Sequence, residues 1–230
     1  MPAFERAIES TVSVPVGEVT LEGTIGIPAN ASGIVLFAHG SGSSRFSPRN
    51  RYVAATLRQA GLATLLLDLL SPAEEEVDEV TRLHRFDIAM LADRLIVTID
   101  WLRSQPETAE LSIGLFGAST GAGAALVAAA ERPVQVAAVV SRGGRPDLAG
   151  EALPRVEAPT LLIVGSLDDV VIELNERARA HMHGDVRLEI VQGATHLFEE
   201  PGTLERVAAL ARGWFLQYLP VAHGGIGRAG

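Results

Sequence analysis

The chain has 230 residues, of which 47% are hydrophobic and 20% are charged, with a formal net charge of −9 and no cysteine. The acidic balance argues against non-specific nucleic-acid binding, which depends on lysine and arginine neutralising phosphates. The absence of cysteine excludes disulfides, thiolate metal sites and a cysteine nucleophile.

The N-terminal sequence MPAFERAIES has no basic start followed by an apolar run, so we expect no signal peptide. No segment reaches about 18 consecutive apolar residues, so we also expect no membrane span. These features predict a cytoplasmic protein with neither nucleic acid nor a membrane as partner. Base rates alone favour a closed homodimer.

Short apolar runs alternate along the chain with longer amphipathic segments. The pair 11–16 and 20–27 is predicted to form a hairpin, and the alternation of 20–27 is typical of an antiparallel edge strand. Further strands are predicted at 34–38, 62–67, 111–116, 134–140, 160–164 and 186–191. Helices are predicted at 50–60, 84–103, 120–131, 173–181 and 203–219, and the acidic stretch 74–79 is a loop or a helix start.

Strands that alternate with helices predict an α/β fold, with a mostly parallel sheet and helices on both faces. We expect a single domain over residues 1–230, with 221–230 as a flexible tail. The segment 141–159 has room for one short helix, near 147–153, and not for a cap domain. The sequence therefore predicts an open site suited to small or short-chain substrates.

A G-x-S-x-G motif at residues 117–121, GASTG, joins the strand 111–116 to the helix 120–131. In this context the motif is typical of a nucleophile elbow, whose tight turn exposes the serine oxygen beside a helix N-terminus. The alternative is a small-residue turn that only caps the helix. We interpret Ser119 as a nucleophile.

A serine nucleophile needs a histidine base and an acid that orients the base. His196 follows the last predicted strand, at the carboxyl edge of the sheet that also holds Ser119. The acid should follow the strand 160–164, where Asp168 and Asp169 compete and Asp168 fits the usual hydrolase spacing better. Asp147, after the preceding strand, is a weaker alternative.

Two backbone N–H groups are expected to hold the oxyanion of an acyl-transfer reaction. One belongs to Thr120, directly after the nucleophile. The other should come from the glycine-rich loop 39–45, HGSGSSR, with Ser41 as the first choice and Gly40 as the next.

Three further residues are candidates for substrate binding. Arg45 and Arg142 lie in loops at the predicted catalytic edge, where a guanidinium either binds an acidic substrate group or pairs with a carboxylate of the protein. Phe198 is a candidate apolar wall or an ordinary packing residue. We expect no metal site, because the one close histidine pair, His181 and His183, has no recognisable third ligand. We also expect no cofactor, because no dinucleotide-binding fingerprint follows the first parallel strand.

Together, HGSGSS, GASTG, GSLD and GATH, each after a predicted strand, resemble the dienelactone-hydrolase-like branch of the α/β-hydrolase fold. The resemblance covers residues 20–219. It implies an eight-stranded sheet with an antiparallel second strand, hydrolysis of esters or lactones, and a triad of Ser119, Asp168 and His196. The name-giving dienelactone hydrolases carry cysteine at the nucleophile position, so the serine here favours general carboxylesterase chemistry on a small-molecule ester.

Two other classes of function fit the same sequence. One keeps the triad and changes the bond or the acceptor, as in a thioesterase, an amidase or an acyltransferase. The other is a non-catalytic binding protein on a hydrolase scaffold, because a fold does not fix a function.

Overall fold

A computed structural model describes residues 9–219 of the chain. Eight strands form one sheet: β1 (Glu9–Val16), β2 (Val19–Gly26), β3 (Gly33–Ala38), β4 (Ala63–Leu67), β5 (Ser112–Ala118), β6 (Val136–Arg142), β7 (Thr160–Gly165) and β8 (Val186–Val191). The α-helices of this part are α1 (Pro48–Gln59), α2 (Pro72–Thr81), α3 (Ile88–Ser104), α4 (Thr120–Glu131), α5 (Asp169–Ala180) and α6 (Thr203–Tyr218).

The strand order across the sheet is β1-β2-β4-β3-β5-β6-β7-β8. β2 is antiparallel to both of its neighbours, and the other pairings are parallel. The predicted mostly parallel sheet of eight strands with an antiparallel second strand is therefore confirmed. The prediction that 20–27 lies at an edge is wrong, because β1 pairs with the outer side of β2 along its whole length.

The core consists of two apolar layers, one on each face of the sheet. In β3, Ile34 and Leu36 face the layer that includes α3 and α4, whereas Val35 and Phe37 face the layer that includes α1 and α6. This alternation follows from the two-residue period of a strand. β3, β4 and β7 are buried at every position, as strands covered on both faces should be.

The predicted helix 84–103 is two elements in the structure. A 3₁₀ turn, His84–Phe86, is followed by α3, and Asp87 separates them with a non-helical backbone. Asp87 Oδ1 accepts a hydrogen bond from the N–H of Met90 at 3.0 Å, which caps the first turn of α3. The break therefore has a local cause, an N-cap inside an otherwise helical pattern.

The acidic stretch 74–79 lies within α2. Ser71 caps this helix, Pro72 occupies its first turn, and the Glu74 carboxylate accepts a hydrogen bond from the Ser71 N–H at 2.8 Å. These contacts form a capping box, which explains why a short, strongly acidic segment is helical.

The connection from β6 to β7 holds one short helical stretch, Pro146–Arg155, which is of 3₁₀ type and kinked at Gly150. No cap domain is inserted there or elsewhere within residues 9–219. No helix among these residues is long and apolar enough to cross a bilayer. The predicted tail 221–230 lies outside the described residues.

Candidate active site

Ser119 occupies a sharp turn between β5 and α4. Its φ of +50° and ψ of −123° are unusual for a residue with a side chain and indicate local backbone strain. The flanking glycines make the turn possible. A Cβ on Gly117 would lie 2.4 Å from Cα of Ala122, and one on Gly121 would lie 2.3 Å from the carbonyl oxygen of Ala38. The elbow is thus held directly against β3 and the start of α4.

His196 and Asp168 meet at the same edge of the sheet. Asp168 follows β7 and His196 follows β8, and both strands run parallel to β5. Nδ1 of His196 lies 2.6 Å from Oδ2 of Asp168, with the carboxylate half-buried and the imidazole more open. This hydrogen bond fixes the ring orientation and leaves Nε2 on the side away from the carboxylate.

The segment after β6 connects this pair to the nucleophile. The N–H of Ser119 donates to the carbonyl oxygen of Arg142 at 3.3 Å. A Cβ built on Gly143 would lie 3.0 Å from the carbonyl oxygen of His196 and 3.6 Å from its Cε1. Among residues 9–219, Ser119 Oγ and His196 share no hydrogen bond. Such contacts commonly tighten only when substrate is bound.

The loop 39–45 curls over the elbow. A Cβ on Gly40 would lie 2.9 Å from Cβ of Ser119, so only glycine permits this approach. The N–H of Ser41 donates to Oγ1 of Thr120 at 3.0 Å, and the two hydroxyls lie 2.9 Å apart. The N–H of Thr120 is at the first position of α4, where no intrahelical acceptor exists. Both expected oxyanion donors are therefore next to Ser119, although the Ser41 N–H has an internal acceptor in this conformation.

His39 anchors the start of this loop. Its Nδ1 lies 2.9 Å from the carbonyl oxygen of Gly40, and its Nε2 accepts the N–H of Leu69 at 2.9 Å. Burial lowers the pKa of His39, against the opposing effects of the Gly40 hydrogen bond and the charge of Asp68. A neutral ring with its proton on Nδ1 satisfies both contacts.

Sequence reasoning missed the segment that faces the loop across a narrow cleft. The hydroxyl of Ser41 donates to the carbonyl oxygen of Arg85 at 3.2 Å, and Arg85 itself is paired with Asp78 of α2 at 2.5 Å. The cleft between loop and segment is lined by His39, Gly40, Ser41, Leu70, Arg85 and Thr120, among others. The only signal for this segment in the sequence was the S-P-x-E capping pattern at 71–74.

The three predicted substrate-binding residues differ in burial and in whether their side chains are paired within the protein. Arg45 is paired with Asp68 through its guanidinium and its N–H, and lies over the ring of Phe46. Phe198 is 1% exposed and packs in the layer beside α1 and α6. Arg142 is 8% exposed, and its side chain has no carboxylate partner among the described residues.

The weaker candidates for the acid lie elsewhere. Asp147 forms a bidentate pair with Arg145 at 2.7 and 2.8 Å, and Asp169 is exposed in the first turn of α5. Asp168 is thus the acid that the structure brings to His196.

Within residues 9–219, no three His, Asp or Glu residues are grouped to hold a metal ion.

Comparison with known proteins extends the likeness to nearly the whole chain. The profile described as the dienelactone hydrolase family matches residues 21–218. The structure is similar to that of a dienelactone hydrolase from Anabaena variabilis ATCC 29413, with a TM-score of 0.92 and 63% identity over 93% of this chain and 99% of that one. Est1E from Butyrivibrio proteoclasticus shares the fold, with a TM-score of 0.77 at 14% identity over 91% of this chain and 98% of that one.

Two curated proteins of Mycobacterium tuberculosis are also close in sequence. Each is 60% identical over 211 residues, which is 92% of this chain and 47% of the relative, and each carries the name "Putative phosphoribosyl transferase". The chain therefore spans about half the length of the curated relatives that it matches.

Proposed function

Because the chain belongs to the dienelactone hydrolase family, we propose that it hydrolyses small carboxylic esters or lactones with Ser119 as the nucleophile. The observation that carries this proposal is the strained turn at Ser119, with φ of +50°, at the sheet edge where His196 is hydrogen-bonded to Asp168. Capping a helix does not require a strained backbone, whereas a nucleophile elbow uses such a turn to expose the serine oxygen.

The proposed reaction follows from the roles of these groups. His196 Nε2 takes the hydroxyl proton of Ser119 as Oγ attacks the ester carbonyl carbon, and the carbonyl oxygen becomes an oxyanion. The N–H groups of Thr120 and Ser41 stabilise that charge. His196 then gives the proton to the departing alcohol, which leaves an acyl-serine. Water, deprotonated by His196, attacks the acyl carbon, and His196 returns that proton to Ser119 Oγ as the acid is released. Asp168 stabilises the imidazolium in both steps.

The Ser41 N–H must exchange its acceptor for this role. It now donates to Thr120 Oγ1 at 3.0 Å, and an oxyanion beside Ser119 would be a stronger, charged acceptor. The Thr120 hydroxyl then keeps the nearby hydroxyl of Ser41 as its partner. We expect the exchange to be local, because Gly40 already lies against Ser119.

The open edge of the sheet favours small substrates. The connection from β6 to β7 is short and holds no cap domain, and the Ser41 hydroxyl of the loop 39–45 contacts the 3₁₀ turn that follows α2. We therefore propose short acyl chains, in preference to long ones that need an apolar tunnel. We assign no phosphoribosyl transfer to this chain, because the proteins with that name extend over a further half that it does not match.

Thioesterase, amidase and acyltransferase chemistry would use the same groups, and a binding protein would use none of them. The test is hydrolysis of p-nitrophenyl esters from acetate to decanoate by the wild type, by Ser119→Ala and by Ser10→Ala. Ser10 is an exposed serine on the edge strand β1 and serves as the matched control. A fluorophosphonate probe reports covalent reactivity separately.

We expect turnover of the short esters by the wild type and Ser10→Ala. In Ser119→Ala, kcat should fall by about 10⁴- to 10⁶-fold, because loss of a triad nucleophile leaves only binding and the oxyanion hole. Probe labelling without ester turnover would favour thioester or amide chemistry. Folded wild type that neither labels nor turns over would contradict an enzymatic role.

A further inference from the structure

Asn175 is a polar side chain on the buried face of α5. The buried residues of this helix are Val171, Asn175 and Ala178, which are spaced as one helical stripe, and Asn175 is fully buried. Burying an amide that lacks hydrogen-bond partners costs free energy, whereas an aliphatic side chain in the same stripe has no such cost. An asparagine at this position therefore indicates a requirement beyond packing.

The amide of Asn175 bonds the loop that follows β6. Its Nδ2 donates to the carbonyl oxygen of Gly144 at 3.0 Å and to that of Val171, one turn earlier in α5, at 2.8 Å. A Cβ on Gly144 would lie 1.8 Å from Oγ of Ser141 and 2.6 Å from Cβ of Ala122. The loop is thus packed too closely at this point to carry an anchoring side chain of its own, and the anchor comes from α5.

The loop 142–145 holds the backbone of the nucleophile on both sides. The N–H of Ser119 donates to the carbonyl oxygen of Arg142 at 3.3 Å, and the N–H of Arg145 donates to the carbonyl oxygen of Ser119 at 3.0 Å. A strained turn persists only where the surrounding structure restrains it. Gly144 lies between the two residues that make these bonds, so an anchor on Gly144 restrains both.

The same loop contacts the base, and α5 begins next to the acid. A Cβ built on Gly143 would lie 3.0 Å from the carbonyl oxygen of His196 and 3.6 Å from Cε1 of its ring. Asp168 is the N-cap residue of α5, about two turns before Asn175. The hydrogen bond from Asn175 to Gly144 therefore joins the loop that holds the nucleophile to the helix that starts at the acid.

We propose that Asn175 is a positioning residue for the hydrolysis, and that its bond to Gly144 sets the distance between Ser119 and the catalytic acid–base pair. This inference rests on the proposed ester hydrolysis. Asn175 is fully buried and acts through the loop, not on the substrate. A displacement of about 1 Å between reacting groups can lower a rate by about 100-fold. Loss of the bond should therefore lower kcat and leave KM nearly unchanged, because the groups that face the substrate are all retained.

Three substitutions test this role: Asn175→Leu, Asn175→Asp and Thr98→Val. Leucine keeps the branched heavy-atom skeleton of asparagine without its donor, and an aspartic acid side chain donates to a carbonyl only when it is protonated. Thr98 is the matched control, because it is fully buried and its hydroxyl donates to the carbonyl oxygen of Arg94 within α3. We measure kcat and KM for p-nitrophenyl acetate between about pH 6 and pH 8, below the thermal midpoint of every variant.

We expect Asn175→Leu to lower kcat by about 10- to 100-fold and to change KM by less than about twofold. Thr98→Val should keep the kcat of the wild type, whatever its thermal midpoint. The kcat of Asn175→Asp, relative to wild type, should rise as the pH falls, because a protonated carboxyl group again donates to Gly144.

Two outcomes would overturn the positioning role and leave ester hydrolysis standing. One is an active wild type together with an unchanged kcat in Asn175→Leu. The other is a loss of kcat in Thr98→Val as large as that in Asn175→Leu, which would indicate a general effect of lost buried hydrogen bonds. If Asn175→Leu does not fold, Asn175→Asp decides, and a kcat relative to wild type that is the same at every pH would overturn the role.

Amide hydrogen exchange followed by NMR provides a readout that needs no turnover. The amides of Ser119 and Arg145 both donate hydrogen bonds between the elbow and the loop, so both should exchange at least about tenfold faster in Asn175→Leu than in Thr98→Val. Faster exchange in a protein that hydrolyses no ester would refute the proposed function and keep Asn175 as the anchor of the loop. Unchanged exchange at both amides would refute the anchor itself.

Discussion

Asp168 Oδ2 lies 2.6 Å from Nδ1 of His196, although the whole of α5 and β8 separates the two residues in the chain. The contact forms because β7 and β8 are parallel neighbours, so the loops that follow them leave the sheet at the same edge. Gly165 lets these loops touch, since a Cβ there would lie 2.3 Å from the carbonyl oxygen of Ala194. The pair is therefore built by the sheet, and not by local sequence.

Asp168→Asn should reduce kcat for a short ester by about 10⁴-fold, because an amide cannot stabilise the imidazolium and favours the wrong tautomer. Asp169→Asn is the matched control, since the adjacent carboxylate is exposed at the start of α5 and should change kcat by less than about twofold. Steady-state kinetics with p-nitrophenyl acetate measure both. Equal effects of the two substitutions would show that Asp168 acts only through the loop structure.

The candidate site residues in the loops after the strands could be predicted from the sequence. Ser119 comes directly after β5, and Asp168 and His196 lie in the loops that follow β7 and β8. The carboxyl ends of parallel strands meet at one edge of a sheet. The G-x-S-x-G motif and the chain order of nucleophile, acid and base then left few candidates for each role. The buried strands were equally clear, because a strand covered on both faces reads as a continuous apolar run.

The rest depended on contacts between distant segments. The alternation in β2 shows that its faces differ, but not that β1 covers its outer side. Nothing local shows that the Ser41 hydroxyl bonds the carbonyl of Arg85, or that Arg142 ends up buried without a partner. Arg45 and Arg142 read alike as loop arginines, and only the fold distinguishes one that is paired with Asp68 from one that is not.

Gly121→Ala should destabilise the protein by about 3 kcal/mol or more, since the new methyl group would lie 2.3 Å from the Ala38 carbonyl oxygen and 2.4 Å from that of His39. Gly213→Ala is the opposite case. Gly213 is exposed in α6 with nothing within 4 Å of a Cβ, so alanine should stabilise by about 0.5–1 kcal/mol. Urea unfolding of both variants measures the difference. A tolerated Gly121→Ala would mean that the elbow can move away from β3.

His39→Gln tests whether the ring holds the oxyanion loop. We expect kcat for a short ester to fall by about tenfold with little change in KM, because the loop must be held close to its reactive position. Burial lowers the pKa of His39, so in wild type the unfolded chain binds a proton more readily than the folded one. Stability should therefore decline as pH falls below about 6.5, and His39→Gln should lack this component. An unchanged kcat would limit His39 to a packing role.

Glu74 offers a test of acid stability in α2. Burial opposes its ionisation, but hydrogen bonds from Arg94 and from Ser71 outweigh that effect and lower its pKa to about 2. Its stabilising contribution is complete above the unfolded pKa of about 4.5 and disappears as pH falls towards 2. Glu74→Gln should lower the free energy of unfolding by roughly 2–3 kcal/mol at neutral pH, because it also removes the charge that pairs with the buried Arg94.

The adjacent Glu75 is the control, because its pKa shifts the other way. Burial and repulsion from Asp68 and Glu79 raise the pKa of Glu75, so its charge opposes folding at neutral pH. Glu75→Gln should therefore leave stability unchanged or raise it slightly. Urea midpoints from pH 7 to pH 3 should bring Glu74→Gln and wild type together as the pH falls, with Glu75→Gln at or above wild type near pH 7. A constant gap between Glu74→Gln and wild type would mean that Glu74 stabilises α2 through its shape and not through its charge.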